Sequence, residues 1–208
     1  FDGERYLLDI EAEEVPPWCE LKFQQCSHCP YQQGQGPKYC PAAQQLALVV
    51  KDVDHLVSYD RIQLRVESQQ RTIAQETSVQ EAVSSLLGLI FASCGCPHTE
   101  FLKPMARFHL PFASEDETIY RTTSMYLLAQ YFKHQQEMSF ELGFKGLTEK
   151  YNQINIINRA LANRLRAAIK QDATVNAIIL LDLLSQAVTW SIEDQLDELQ
   201  PLFKDYLQ

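Results

Sequence analysis

The feature that most constrains this chain is the placement of its six cysteines. Three are bunched, in Cys26-Ser27-His28-Cys29 and then Cys40, and two more stand together far downstream in Cys94-Gly95-Cys96-Pro97-His98. A C-x2-C pair on a tight turn sets two thiolates side by side, half of the tetrahedron that zinc prefers. A disulfide across so short a loop would restrain the unfolded chain very little. The spacing therefore predicts a metal centre with Cys26, Cys29, Cys40 and Cys96 as ligands. The fourth place has competitors in Cys94, His98 and His28. Cys96 is preferred, because Cys94 falls at the end of an apolar helix and reads as core.

Cys29, Cys40 and Cys96 are each followed by proline. Pro41 suits the first position of a helix, where its missing N–H costs nothing. That puts Cys40 at a helix N-cap, where free N–H groups favour a thiolate, and Cys96 is expected to sit likewise. Cys19 alternates with Leu21 and Phe23, so it reads as a small buried hydrophobe. Zinc is the expected ion. An iron–sulfur cluster is the alternative, since it also takes four thiolates, although C-x2-C-x10-C is not the compact ferredoxin spacing.

Composition decides the setting. The chain has 208 residues, 46% hydrophobic and 22% charged, enough apolar material to build a core without disulfide staples. The expected compartment is reducing and the expected location cytoplasmic. A net charge of −9, from 18 basic and 27 acidic residues, argues against nucleic acid and against anionic membrane surfaces as partners. No apolar run reaches the ~18–20 residues of a membrane span, and no signal peptide is visible within the sequence, which begins with Phe1 rather than Met.

The hydrophobic pattern predicts an α+β protein: a small antiparallel sheet bearing the cysteine metal site, packed on a bundle of long helices. Residues 1–76 read as mainly β and 77–208 as helical, within one domain spanning 1–208. Residues 5–10 and 18–23 are expected strands, the latter from its period-two alternation. Residues 62–67 and 71–75 read as a hairpin turning through 68–70. Ser78 with Glu81 and Ser114 with Glu117 are capping boxes. The first opens a helix through Leu87 and Phe91 that stops near Cys94. The second opens one through Tyr120, Met125, Leu128 and Phe132. Leu147, Tyr151, Ile154, Ile157, Leu161, Leu165 and Ile169 recur at helical spacing. Asp172 is placed as the cap of an apolar helix over 175–190, and a last helix is expected over 191–199. The two long helices offer surface for self-association, though such faces ordinarily pack on each other within one chain.

Pro104-Met105-Ala106-Arg107-Phe108-His109-Leu110-Pro111-Phe112 reads as a turn between prolines. Its other reading brings Arg107, His109, Glu117 and Arg121 together beside the metal or a ligand. A metal enzyme using His98 or His109 is the least supported reading. No HExxH, GxSxG or phosphate loop is present.

The residues Cys26 to Pro30, Tyr39-Cys40-Pro41, Cys96-Pro97-His98-Thr99 and the segment 104–112 resemble an uncharacterised family of bacterial proteins, a domain of unknown function. The similarity continues through Thr118-Ile119-Tyr120-Arg121, Asn163-Arg164-Leu165-Arg166 and Val175-Asn176-Ala177-Ile178. The resemblance implies a bacterial source and one folding unit covering nearly the whole chain, with no established activity. The expected function is thus a zinc-stabilised binding or regulatory module acting on an unknown protein partner or on itself. The alternative is an iron–sulfur or thiol-based redox or metal sensor.

Overall fold

The computed structural model describes residues 15–31, 36–53, 55–168, 172–194 and 196–207. The expected strand over 5–10 and the position of Ile169 lie outside these residues. The described chain is mostly helical, with one two-stranded antiparallel sheet. In chain order it runs α1 (Pro41–Val53), β1 (Arg61–Glu67), β2 (Thr72–Ser78), α2 (Val79–Phe91), α3 (Lys103–Arg107), α4 (Glu115–Gln135), α5 (Lys145–Ala168) and α6 (Ala173–Glu193). Short 3-10 segments occupy Pro17–Cys19, Glu100–Leu102 and Gln200–Tyr206.

The strands pair from Arg61 opposite Ser78 to Glu67 opposite Thr72, and Ser68 N–H donates to the Arg71 carbonyl at 2.9 Å to close the turn. Alternate residues Ile62, Leu64 and Val66 are half-buried, while the residues between them face solvent. The sheet carries no cysteine, so the cysteine-bearing sheet expected from the sequence is replaced by cysteine-bearing loops.

The expected strand over 18–23 is instead a series of tight turns. Pro16 and Pro17 hold φ in a narrow range, and N–H groups of Cys19, Glu20 and Phe23 each donate three residues back at 2.9–3.1 Å. The alternation survives in the burial: Cys19 is fully buried, Glu20 and Lys22 are exposed, and Leu21 and Phe23 are half-buried. A single bridge pairs Glu20 with Tyr39.

Both capping boxes form. Ser78 and Ser114 each accept from the backbone N–H three residues on, while Glu81 and Glu117 reach back to the cap N–H. α5 buries Leu147, Tyr151, Ile154, Ile157, Leu161 and Leu165 as one stripe. In α4 the buried positions are Ile119, Thr122, Thr123, Tyr126 and Gln130, whereas Tyr120, Leu128 and Phe132 are exposed. Thr122 Oγ1 lies 2.7 Å from Tyr151 Oη, so part of the buried face of α4 is joined to α5 by paired hydroxyls. α6 runs on to Glu193, past the boundary expected at 190. Asp172 occupies its N-cap position without capping it and accepts instead from Ser58 Oγ at 3.3 Å and Asn176 Nδ2 at 3.4 Å.

α6 is, by length and composition, apolar enough to cross a membrane, with a mean hydropathy of 1.5. The sequence reading placed it below that threshold because of its scattered polar residues. It packs against α1, α2, α4 and α5, and the α5 and α6 faces pair with each other. Leu46, Val49, Leu87, Ile90, Leu161, Leu165, Ala177 and Ile178 form the main core. Each large aliphatic side chain there contributes roughly 1.5–3 kcal/mol of transfer free energy. A second cluster joins Ile119, Tyr126, Leu147, Tyr151, Ile154 and Val188.

Candidate functional site

Five chain segments meet around the cysteines. Cys29 N–H donates to the Cys26 carbonyl at 3.0 Å, closing the C-x2-C turn. Cys40 N–H donates to the Cys19 carbonyl at 2.9 Å, and the Cys40 carbonyl accepts from Gln44 N–H at 3.0 Å, which sets Cys40 at the head of α1. At the end of α2 the chain reverses through Gly95, whose φ of +87° is readily adopted only without a Cβ. The Cys96 carbonyl then accepts from Thr99 N–H at 3.0 Å and from Thr99 Oγ1 at 3.1 Å. The expected helix N-cap at Cys96 is therefore a non-helical turn; the 3-10 segment starts only at Glu100.

The two cysteine turns touch. His98 Nε2 donates to the His28 carbonyl at 3.0 Å, and the two imidazole rings are 4.2 Å apart between centroids. Burial, reinforced by His98, lowers the His28 pKa. Cys26, Cys40 and Cys96 all pack, half-buried, against the main core. Burial pushes the Cys26 thiol up to about 12, and charge at Cys40, Cys96 and Cys29 adds to that rise. Burial likewise raises Cys96, with Cys40 and Cys29 contributing. The four predicted ligands thus lie within electrostatic reach of one another.

Among the described residues, no three His, Cys, Asp or Glu side chains converge so as to hold a metal ion as they stand. The fold as described thus lacks the ready-made cysteine metal centre expected from the spacing. All six cysteines are free. The expectation of a helix terminus holding Cys96 as a thiolate also needs correcting. Desolvation there outweighs the backbone N–H groups of His98 and Thr99, so the thiol form is favoured.

Cys19 is fully buried, its Sγ donating to the Ala43 carbonyl at 3.3 Å. Cys94 is buried at the α2 terminus, donating to the Phe91 carbonyl at 3.4 Å, and burial raises it to about 12. Both behave as core, as read from the sequence.

One residue the sequence reading passed over is Arg164. Its side chain is 1% exposed. Nη1 donates to the Trp18 and Glu20 carbonyls at 2.6 and 2.7 Å, and Nη2 to the Leu21 carbonyl at 3.1 Å. Its positive charge lowers the pKa of both Cys19 and Cys26. The sequence signals were an arginine on the apolar stripe between Leu161 and Leu165 and its place in the Asn163-Arg164-Leu165-Arg166 segment.

Of the second predicted group, His109 and Arg121 do come together. Arg121 Nη2 donates to the Phe108 carbonyl at 2.6 Å and to that of Met105 at 3.4 Å. Burial first, then Arg121, lowers His109 to about 4. Arg107 and Glu117 are exposed; Glu117 serves the cap of α4 and its charge also acts on Arg121. The cation that faces the cysteines is Arg164.

The profile of the domain of unknown function DUF6901 matches residues 2–204, and the chain belongs to that family. No curated protein matches the chain, nor does any solved structure.

Proposed function

We propose that this DUF6901 member is a metal-binding protein that takes one zinc ion at Cys26, Cys29, Cys40 and Cys96. The ion acts structurally, pinning the N-terminal loop to the helices of a binding or regulatory module. The observation that carries this reading is the docking of the 26–29 turn on the 96–99 turn through the His28 carbonyl and His98 Nε2, 3.0 Å apart.

The donor set fits the chemistry. Four crowded, half-buried thiols are costly to ionise together, and a bound dication inverts that cost. A tetrathiolate zinc site carries net negative charge, and buried Arg164 supplies a fixed positive one nearby. His98 is the specific substitute. With Nε2–H given to a backbone carbonyl, its Nδ1 lone pair is free, as is usual for metal-bound histidine. Burial raises the thiol pKa values of Cys26 and Cys96, which counts against a thiol-based redox role for those two, since that chemistry needs a thiolate near neutral pH. Six free cysteines suit a reducing compartment, so we place the protein in the cytoplasm.

Cobalt substitution tests the ligand set. The Co(II) protein is expected to show intense thiolate-to-metal charge-transfer absorption and tetrahedral visible bands. Cys96→Ser should weaken both while His98→Ala leaves them unchanged. If His98→Ala removes a ligand and Cys96→Ser does not, the fourth ligand is His98. If reduced protein binds no cobalt, the proposal fails.

A further inference from the structure

A cavity of about 600 Å³ opens among α2, α3, α4, α5 and α6, within the ~300–1,000 Å³ range of small-molecule sites. Much of its wall is apolar, including Phe91, Leu102, Met105, Leu181, Leu184 and Trp190. Polar groups enter at particular points. Arg121 reaches the cavity; its guanidinium donates to two neutral carbonyls and stands within electrostatic reach of the solvent-exposed Glu117 carboxylate on its own helix. His109 beside it is held neutral at pH 7 by burial and by that guanidinium.

Asn158 is the second observation. Its side chain is 3% exposed and lines the cavity, and its Nδ2 has no hydrogen-bond partner. A buried N–H without an acceptor is costly, so this amide marks where a ligand acceptor belongs. The carboxylates on the wall are otherwise disposed. Glu81 Oε2 accepts from Ser78 N, Ser78 Oγ and Thr77 Oγ1 at 2.8–2.9 Å, and Glu115 is solvent-exposed in the first turn of α4.

We propose that this cavity binds an elongated amphipathic carboxylic acid, its carboxylate facing Arg121, its apolar body along the α2–α6 wall, and a second acceptor at Asn158. The length follows from α5. Arg121 and Tyr151 line the same cavity within electrostatic reach of each other, and Asn158 lies two turns further along the helix of Tyr151, about 10 Å by helical rise. A ten-carbon ω-hydroxy acid reaches across that span from carboxylate to terminal hydroxyl with its chain partly bent. This site is independent of the cysteine reading, since none of its polar groups is a proposed metal ligand.

The test uses three probes on the full chain by calorimetry: 10-hydroxydecanoate, decanoate and 1-decanol. The expected result is one site per chain, with decanoate at least tenfold tighter than 1-decanol and the hydroxy acid tighter again. Arg121→Met should erase the preference for acid over alcohol. Asn158→Leu should erase that for hydroxy acid over decanoate, and Ala187→Phe should block all three. If Arg121→Met fails to fold, the comparison of probes on the native protein decides alone. Equal binding of decanoate and 1-decanol, or no binding by folded protein, overturns the proposal.

Discussion

Arg164 Nη1 donates to the Trp18 carbonyl at 2.6 Å across 146 residues of sequence, and this contact ties the cysteine-bearing loop to the long helix α5. The same guanidinium takes up the carbonyls of Glu20 and Leu21. Three acceptors in a region of tight turns thereby find one buried donor. Arg164→Leu leaves them unpaired and is expected to cost about 3 kcal/mol in urea unfolding. Arg164→Lys keeps the charge and fewer of the bonds, and should cost less. Equal stability of the leucine variant and native protein would remove Arg164 from this role.

A second prediction concerns pH. His109 has its pKa lowered to about 4 by burial and by Arg121, so the unfolded chain binds a proton there more readily than the native one. Stability then falls as pH drops from about 6.5 toward 4 and levels off below that, a change of up to roughly 3 kcal/mol from this group. His109→Phe should flatten that part of the stability–pH curve. An unchanged slope would show that His109 titrates normally.

Gly146 tests the junction of α4 and α5. Tyr126 Oη donates to Glu141 Oε1 at 2.5 Å, and Gly146 N–H donates to the same oxygen at 2.8 Å. A Cβ at Gly146 would run into Tyr126 Oη. Gly146→Ala is expected to destabilise by about 1–3 kcal/mol through overpacking, read as a lowered melting temperature. A neutral effect would mean the tyrosine swings away freely.

The folding-unit proposal is tested by chelation. If one ion holds both cysteine turns, strands β1 and β2 between them belong to the same cooperative unit. Chelator should lower a single melting transition. Two separated transitions, only one of them metal-sensitive, would divide the chain into independent domains.

Much of the helical framework was legible in the sequence. Ser78 with Glu81 and Ser114 with Glu117 announce helix starts through local hydrogen bonds, and the α5 stripe announces its buried face by periodicity. Cys40 before Pro41 marks the start of α1 for the same local reason. What failed was non-local or ambiguous. Six alternating residues after Pro16-Pro17 satisfy both a strand and a chain of tight turns, and the prolines decide for turns. In α4 the buried face carries Thr122, Thr123 and Gln130, a face that apolar periodicity does not mark. Arg164 became visible as a loop clamp only once its carbonyl partners were placed. The cavity depends on how five helices meet, which no local pattern encodes.

The most direct measurement is zinc content of the full chain purified anaerobically under reduction, alongside its four cysteine variants. One zinc per native chain is expected, lost together with stability in Cys26→Ser, Cys29→Ser, Cys40→Ser or Cys96→Ser, because metal binding and folding are coupled. Cys19→Ser should keep the metal at a cost of ~1–3 kcal/mol. Iron with acid-labile sulfide, or native protein free of metal with its thiols reduced, would contradict the account.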